Sequence, residues 1–277
     1  MPDSAPNTTP NPVPGSAPSA LTYYACGHTT HNLSQLMHGQ PRERRVFPAG
    51  VFLYRHRDGR TALFDTGYGP ATNKAGIKGF LYNLLLPAHI TPDQAIDRQL
   101  AADGITPDRI DFVVLSHLHP DHIGGVRYFP DATFVLAAPM SEALAKNQTK
   151  EGVLPKLLPD WFGSADKQII DFEPSADGFP FASFDLFGDD SFRLISLPGH
   201  ARGHVGALVE GRVLLAADSS WGHDLMPLAQ QVKALPRAIN ADWPAYVETL
   251  DHLRDLEAKG VRLCFSHDVY LDKDLLA

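Results

Sequence analysis

A group of potential metal ligands follows directly on a predicted buried strand. Residues 112–115 form a continuous apolar run rich in valine, which is typical of a strand covered on both faces. The next seven residues are Ser116-His117-Leu118-His119-Pro120-Asp121-His122. Imidazole and carboxylate groups bind zinc and related cations, so three histidines and one aspartate at one strand end predict a metal centre.

The sequence around this cluster contains several segments typical of strands and two typical of helices. Two β-type runs at 51–56 and 61–65 flank a turn at 57–60 and predict a hairpin. A capping box at Thr91 and Gln94 predicts a helix over 92–103, and apolar residues at helical spacing predict a second helix over 242–259. Further strands are predicted at 21–25, 133–137, 192–196, 205–210, 212–217 and 261–265.

Three other segments have a distinct composition. Residues 1–20 contain six of the 23 prolines, so we expect a disordered tail followed by one domain over 21–277. Residues 138–190 are rich in Pro, Asp and Gly and predict a short helix with long loops. The apolar run at 79–87 is either a core helix, a cap over a pocket or a subunit interface, which makes a homodimer possible.

Charge and cysteine content exclude several classes of protein. The formal charge is −8, with 24 Lys and Arg against 32 Asp and Glu, which disfavours nucleic acid as a partner. Two cysteines are too few for a disulfide framework or a cysteine-based zinc site, and a reducing compartment fits best. Neither a signal peptide nor a membrane span is predicted, so we expect a cytoplasmic protein.

The His-x-His-x-Asp-His pattern resembles the signature of the metallo-β-lactamase superfamily, whose members are αββα sandwiches. Four other segments resemble superfamily elements, so the resemblance extends from about residue 21 to the end of the chain. These segments are Phe64-Asp65-Thr66-Gly67, Pro198-Gly199-His200-Ala201-Arg202-Gly203-His204, Ala217-Asp218 and Ser266-His267.

This resemblance implies two metal ions about 3.5 to 4 Å apart, with open positions for water and substrate. The implied first-metal ligands are His117, His119 and His200, and the implied second-metal ligands are Asp121, His122 and His267, with Asp218 bridging. A bridging hydroxide would be the nucleophile, with Asp121 and Asp218 as the catalytic carboxylates. Two zinc ions are expected, although iron, cobalt, nickel or manganese would suit the same ligands.

Several residues near these motifs have more than one interpretation. Asp65 either accepts a hydrogen bond from a ligand histidine or caps its own turn. His204 is interpreted as a core residue or as a residue behind the ligands, and His28 and His31 as surface or hydrogen-bonding residues. Cys264 is interpreted as a buried strand residue.

The resemblance is nearest to the N-acyl homoserine lactonase-like branch. True β-lactamases typically lack the bridging aspartate, and nucleases would need a basic surface. The lactonases typically carry a tyrosine three residues after the bridging aspartate, where this chain has Trp221. Tyr68 or His223 could replace its hydroxyl, and an apolar substrate pocket is predicted from Trp221, Trp161, Phe80 and Leu84.

The predicted function is hydrolysis of a lactone or a related carboxylic ester of small molecular size. A thioesterase or phosphodiesterase of the same fold is an alternative, because one fold hosts many reactions. An iron-dependent oxidoreductase resembling the persulfide dioxygenases is a further alternative, as is a metal-dependent sensor with slow residual hydrolysis.

Overall fold

Two mixed β-sheets flanked by helices make up the part of the chain that the structure describes. The computed structural model describes residues 18–70, 79–80, 83–84, 86–146, 154–175 and 178–277. Its strands are β1 (Ala20–Asn32), β2 (Arg44–Arg55), β3 (Thr61–Phe64), β4 (Phe112–Val114), β5 (Thr133–Ala137), β6 (Lys167–Ile170), β7 (Ser183–Asp185), β8 (Phe192–Ser196), β9 (Val205–Val209), β10 (Val213–Ala217) and β11 (Arg262–Phe265).

The first sheet has the order β1-β2-β3-β4-β5-β6, with parallel pairing from β3 onward. The second has the order β11-β10-β9-β8-β7, and its one parallel pair is β10 with β11. Parallel neighbours end at the same edge of a sheet. The residues after β3 and β4, and those after β10 and β11, therefore leave their sheets side by side.

The helices are mostly short. They are α1 (Leu33–Leu36), α2 (Ile96–Ala102), α3 (Pro120–Ile123), α4 (Ala138–Ala145), α5 (Ala234–Arg237) and α6 (Trp243–Ala258). Single 3-10 helices lie at Pro92–Gln94, Pro107–Arg109, Val126–Tyr128, Pro155–Leu157, Asp160–Ser164 and His223–Gln231. None of the helices in the described ranges is long and apolar enough to cross a membrane.

The second sheet is covered on both faces because its strands alternate in side-chain direction. Ile195, Leu208 and Leu214 belong to the apolar cluster around α6, which also contains Leu250 and Leu253. Their strand neighbours, including Leu194, Ala207 and Leu215, belong to the large cluster shared with the first sheet. This period of two places one core between the sheets and another beneath α6.

Most predicted elements are confirmed, including the hairpin, the strand at 112–115 and the helix over 242–259. The helix predicted over 92–103 is wrong in detail. Its first turn is a 3-10 helix, and the extended backbone of Ala95 (ψ 140°) separates it from α2. β6 and β7 were not predicted within 138–190, because each is short and lies at a sheet edge. The first strand begins at Ala20, which is the last residue of the expected tail.

The outer strand β1 is unusually long, and it extends together with β2 beyond the end of β3. β2 pairs with β3 only from Phe52 to Arg55, whereas it pairs with β1 over nearly its whole length. On the outer edge of β1, the amide and carbonyl of His28 both bond to His89, at 2.8 Å each. Near the start of β1, the carbonyl of Leu21 accepts the amide of Leu275 at 2.8 Å.

Candidate metal centre

The predicted metal ligands meet at the edge where β3, β4, β10 and β11 end. Asp65 follows β3, and His117 comes three residues after β4. In the other sheet, Asp218 follows β10 and His267 comes two residues after β11. The carboxyl ends of neighbouring strands lie at one edge of a sheet, so the fold brings together residues that are far apart in the sequence. The hydrogen-bonded strands hold these residues in place.

A close backbone contact fixes the turn after β3 against the turn that carries the ligands. A Cβ atom added to Gly69 would lie 2.0 Å from the carbonyl oxygen of Gly124, so neither turn has room for a side chain there. The amide of Gly124 donates to the carbonyl of Gly67 at 2.9 Å, and the amide of Thr66 donates to the carbonyl of His122 at 2.8 Å. These contacts hold α3, with Pro120 in its first turn, beside Asp65.

Three imidazole nitrogens converge in the first ligand group. His117 Nε2 lies 2.9 Å from His119 Nδ1, and His200 Nε2 lies 3.3 and 3.2 Å from these two atoms. Ligands about 2.0 to 2.1 Å from a tetrahedral zinc ion stand roughly 3.3 Å apart, which is close to this spacing. Asp218 Oδ2 completes the group at 3.8 Å from His117 Nε2 and 3.6 Å from His200 Nε2.

The second ligand group contains two carboxylates and two imidazoles. His122 Nε2 lies 3.3 Å from Asp218 Oδ1 and 3.7 Å from Asp121 Oδ2. His267 Nε2 lies 3.2 Å from Asp218 Oδ2 and 3.9 Å from Asp121 Oδ2. Asp218 therefore belongs to both groups, with one oxygen nearest His122 and the other nearest His267 and His200.

The donor atoms of both groups fit metal ions. His122 Nε2 and Asp218 Oδ1 are fully buried, and neither has a hydrogen-bond partner among the described residues. Leaving buried polar atoms unsatisfied is costly, so native proteins leave few such atoms without a partner. A cation in the second group would satisfy both atoms, and the imidazole and carboxylate donors suit zinc.

Residues behind the ligands orient the ring nitrogens toward the cluster. The buried Asp65 carboxylate accepts His122 Nδ1–H at 2.7 Å, and it also accepts the amide and hydroxyl of Ser116 at 2.8 Å each. His267 Nδ1 donates to the carbonyl of Pro48 at 2.7 Å. Of the two interpretations of Asp65, the structure supports acceptance of a histidine proton.

His204 is not positioned as a ligand, which agrees with its interpretation from the sequence. Its Nδ1 donates to the carbonyl of Leu197 at 3.0 Å, and its Nε2 accepts the amide of Asp218 at 3.4 Å. Both nitrogens are therefore used by the main chain. Burial, together with the nearby His200, lowers the pKa of His204 to about 3, so the ring is neutral and supports the backbone of Asp218.

Electrostatics divide the ligand histidines into two sets. Burial lowers the pKa of His117, His119 and His200, so these rings are neutral. Burial also disfavours charge on His122, but the carboxylates of Asp218 and Asp65 outweigh it and raise the pKa well above its usual value. For His267, Asp218 likewise outweighs burial and raises the pKa to about 9. The second group thus binds protons when it holds no metal.

Two residues predicted as proton donors lie outside this cluster of ligand atoms. His223 is 54% exposed, its Nε2 forms an ion pair with Glu257 of α6, and its amide donates to Asp268 at 2.8 Å. These contacts occupy Nε2 and the main-chain amide of His223, and its role as a proton donor stays a prediction. Tyr68 is 1% exposed and packs with Ala49 and Ala88, which favours a packing role.

The four predicted pocket residues lie in different environments. Trp221 packs in a cluster with Phe47, whose ring meets that of His267 edge-on at 6.0 Å. Trp161 is partly buried and packs against Phe134 of β5, with the ring centroids 6.1 Å apart, and its place in a substrate pocket stays a prediction. Phe80 and Leu84 are 67% and 69% exposed, and the rest of the run at 79–87 lies partly outside the described residues.

Three contributors to the site were not found from the sequence. Pro48 acts through its main chain, Ser116 was seen only as the start of the polar segment, and Asn240 lies 40 residues after its partner His200. Serine or asparagine beside a ligand has no spacing rule of its own. Only the position of Ser116 next to His117 offers a local signal.

A two-sheet fold with two ligand groups that share one carboxylate is an arrangement suited to metal-dependent hydrolysis. Residues 44–267 match the metallo-beta-lactamase superfamily, and the chain belongs to this family. That match confirms the family resemblance found in the sequence and the sandwich fold expected from it.

The similar proteins include relatives named as lactonases. The N-acyl homoserine lactonase AttM of Azorhizobium caulinodans is 30% identical over 234 residues, which cover 80% of this chain and 82% of the relative. AttM of Rhizobium johnstonii is 29% identical over the same length and coverage. A solved N-acyl homoserine lactone hydrolase with bound N-hexanoyl-L-homoserine has a TM-score of 0.69 at 20% identity, covering 90% of this chain and 93% of its own, and it shows similarity of fold alone.

Proposed function

We propose that the protein is a dinuclear metal-dependent lactonase that opens N-acyl homoserine lactones or closely related carboxylic esters. The observation that carries this proposal is the position of Asp218, which belongs to both ligand groups: Oδ1 lies 3.3 Å from His122 Nε2, and Oδ2 lies 3.2 Å from His267 Nε2 and 3.6 Å from His200 Nε2. A carboxylate shared between two groups is the arrangement that a two-metal hydrolase needs. The AttM relatives, named as N-acyl homoserine lactonases, support the choice of substrate.

The ligand residues have distinct proposed roles. His117, His119 and His200 would hold one cation, Asp121, His122 and His267 would hold the other, and Asp218 would contact both. When bound, two zinc ions would supply a water of lowered pKa as nucleophile and would polarise the scissile carbonyl. A solved relative described as the dizinc quorum-quenching lactonase AidC, with a TM-score of 0.64 at 16% identity, supports zinc in both positions.

The chain's own residues would orient the ligand rings and keep water from the acyl group of the substrate. Asp65 holds His122 in one ring orientation, and the carbonyl of Pro48 does the same for His267. The ring of Phe47 meets that of His267 edge-on, and Trp221 packs in the same apolar cluster as Phe47; the acyl group of a lactone would avoid water at this cluster. Trp221 has no hydroxyl, so any proton needed by the leaving oxygen has to come from another donor.

The proposal is tested by measuring acid release from zinc-loaded protein in weak buffer. Acyl homoserine lactones of increasing chain length are the substrates, because ring opening yields a carboxylic acid. We expect rapid acid release that increases with chain length, since a longer acyl group buries more apolar surface. A protein that holds two zinc ions but releases no acid from any of these lactones would refute the lactonase proposal, and thioesters and phosphodiesters would then be assayed.

The two-metal requirement is tested with Asp121→Ala. This substitution removes a ligand of the second group only, and we expect loss of one of the two zinc ions and of most turnover. Asp251→Ala is the matched control, because Asp251 pairs with Arg254 on the surface of α6. Full turnover of Asp121→Ala with a single zinc ion would contradict a mechanism that needs both cations.

A further inference from the structure

Asn240 joins a surface connection to the first ligand group. It lies between α5 and α6, where its side chain makes two hydrogen bonds in opposite directions. Asn240 Oδ1 lies 3.0 Å from His200 Nδ1, and Asn240 Nδ2 lies 3.3 Å from the main-chain oxygen of Arg237. No motif in the sequence marks this residue.

These two bonds determine which nitrogen of His200 carries the proton. A main-chain carbonyl only accepts hydrogen bonds, so the amide group of Asn240 must face Arg237 and its oxygen must face His200. Because an amide oxygen also only accepts, His200 Nδ1 must be protonated. The lone pair of His200 Nε2 is then directed at the nitrogens of His117 and His119, which lie 3.3 and 3.2 Å away.

The backbone around Asn240 is attached to the same segment as the ligand. The amide of Ala241 donates to the carbonyl of His200 at 3.0 Å, and the amide of Asp242 donates to the carbonyl of Gly199 at 2.9 Å. Gly199 has a φ of +127°, and a Cβ there would lie 2.3 Å from the main chain of Tyr246. Asn240 and His200 are therefore held at a fixed distance by the packing of α6 on this turn.

Asn240 lies on the connection at 234–242, which includes α5 and has exposed side chains. Leu235 is 80% exposed and Ile239 is 45% exposed. By contrast, Asp65 and Pro48, which orient His122 and His267, belong to the strands of the sandwich or directly follow them. The first ligand group thus has a ring whose orientation depends on a side chain from a surface segment.

We propose that Asn240 is the positioning residue that keeps His200 in the tautomer required for metal binding, so that the connection at 234–242 sets the affinity of the first ligand group. The inference rests on the metal centre of the proposed function, but it does not depend on the identity of the substrate. Loss of a partner that orients a ligand histidine typically costs about 10 to 100-fold in metal affinity.

The first test is zinc affinity measured by competition with a chromophoric chelator. We expect Asn240→Ala to weaken the binding of one zinc ion by about 10 to 100-fold and to leave the affinity for the other unchanged. Asn240→Asp keeps an acceptor for His200 Nδ1–H and should restore most of the affinity. Ile239→Ala changes the neighbouring exposed side chain and should have no effect. Unchanged affinity in Asn240→Ala, or no rescue by Asn240→Asp, would overturn the proposal.

The second test uses the metal-free protein. Long-range proton–nitrogen NMR of the imidazole rings should show His200 protonated at Nδ1, and Asn240→Ala should move the ring toward the Nε2–H tautomer. A parent protein with His200 protonated at Nε2 would overturn the assignment. Because neither test uses a lactone, a protein that opens no lactone would end the proposed function without deciding the role of Asn240.

Discussion

Replacing Asp65 by asparagine should weaken the binding of a metal ion to the second ligand group without removing the ion from the first group. The substitution preserves size, and asparagine tolerates the positive φ of this position (64°) as well as aspartate does. The carboxylate oxygens accept three hydrogen bonds, from the amide of Ser116, the hydroxyl of Ser116 and His122 Nδ1. An amide group has one acceptor where the carboxylate has two.

The geometry determines which of these bonds is lost. The amide of Ser116 can only donate, so the oxygen of the new asparagine must stay with it, and the NH2 group must face His122 Nδ1. His122 then has to accept at Nδ1 and carry its proton on Nε2, the atom that faces Asp218 and Asp121. That tautomer cannot bind a metal ion through Nε2.

The magnitude follows from the cost of reversing this arrangement. Metal binding would force the amide to turn, leaving the buried amide of Ser116 without an acceptor at a cost of about 1 to 3 kcal/mol. Every 1.4 kcal/mol is about tenfold in a binding constant, so we expect the second zinc ion to bind roughly 10 to 100-fold more weakly.

The assay is stepwise zinc competition, with Asp272→Asn as the control. Asp272 is an exposed carboxylate that pairs with Arg262, at the opposite end of β11 from the ligands. Lactone turnover should fall with occupancy of the second site and should recover partly at high zinc concentration. If Asp65→Asn binds both zinc ions within about threefold of the parent affinity, less than 1 kcal/mol, the tautomer argument is refuted.

Three further predictions concern pH and packing. Metal must displace protons from His122 and His267, so affinity for the second cation should rise about tenfold per pH unit for each proton displaced, up to the pKa of His267 at about 9; a pH-independent affinity would contradict this. The pKa of His267 is raised above its usual value near 6.5. The protonated His267 therefore stabilises the metal-free protein fully below about pH 6.5, and this stabilisation is lost as pH rises through about 9. Thermal unfolding of the metal-free protein should show the loss as a falling Tm. Gly199→Ala would place a Cβ 2.3 Å from the main chain of Tyr246 at a φ of +127°, so urea unfolding should show a loss of about 3 kcal/mol or more, and a loss below about 1 kcal/mol would show that α6 yields easily.

The sequence indicated which residues would converge at the candidate metal centre, because these residues follow a local rule. Three histidines and an aspartate directly after an apolar strand are a combination that chance seldom produces, and His200, Asp218 and His267 each follow a recognisable strand or motif. Asp65 could be placed at its turn but not assigned a role, because a carboxylate at a strand end can cap that turn or accept from a distant ring. Only the contact with His122 decides between them.

Other features depend on contacts between distant segments. His223 is five residues after Asp218, yet Asp268 and Glu257 hold it on the surface. Asn240 acquires its role only when α6 packs beside Gly199. β7 has three residues and little apolar character, so its pairing with β8 supplies the stability that its own sequence does not. These cases share a cause, since tertiary contacts override local preference.

The outer edge of β1 has a consequence for how the protein behaves at high concentration. A strand of thirteen residues with a free edge would be a template for pairing with other chains. His89 occupies both hydrogen-bonding groups of His28, while Asp274 and Leu275 occupy those of Leu21. The left-handed Gly27 and the shift in register between Ala25 and His28 interrupt the regular edge between these points. The strand that extends beside the metal centre is therefore protected against aggregation by residues from two distant parts of the same chain.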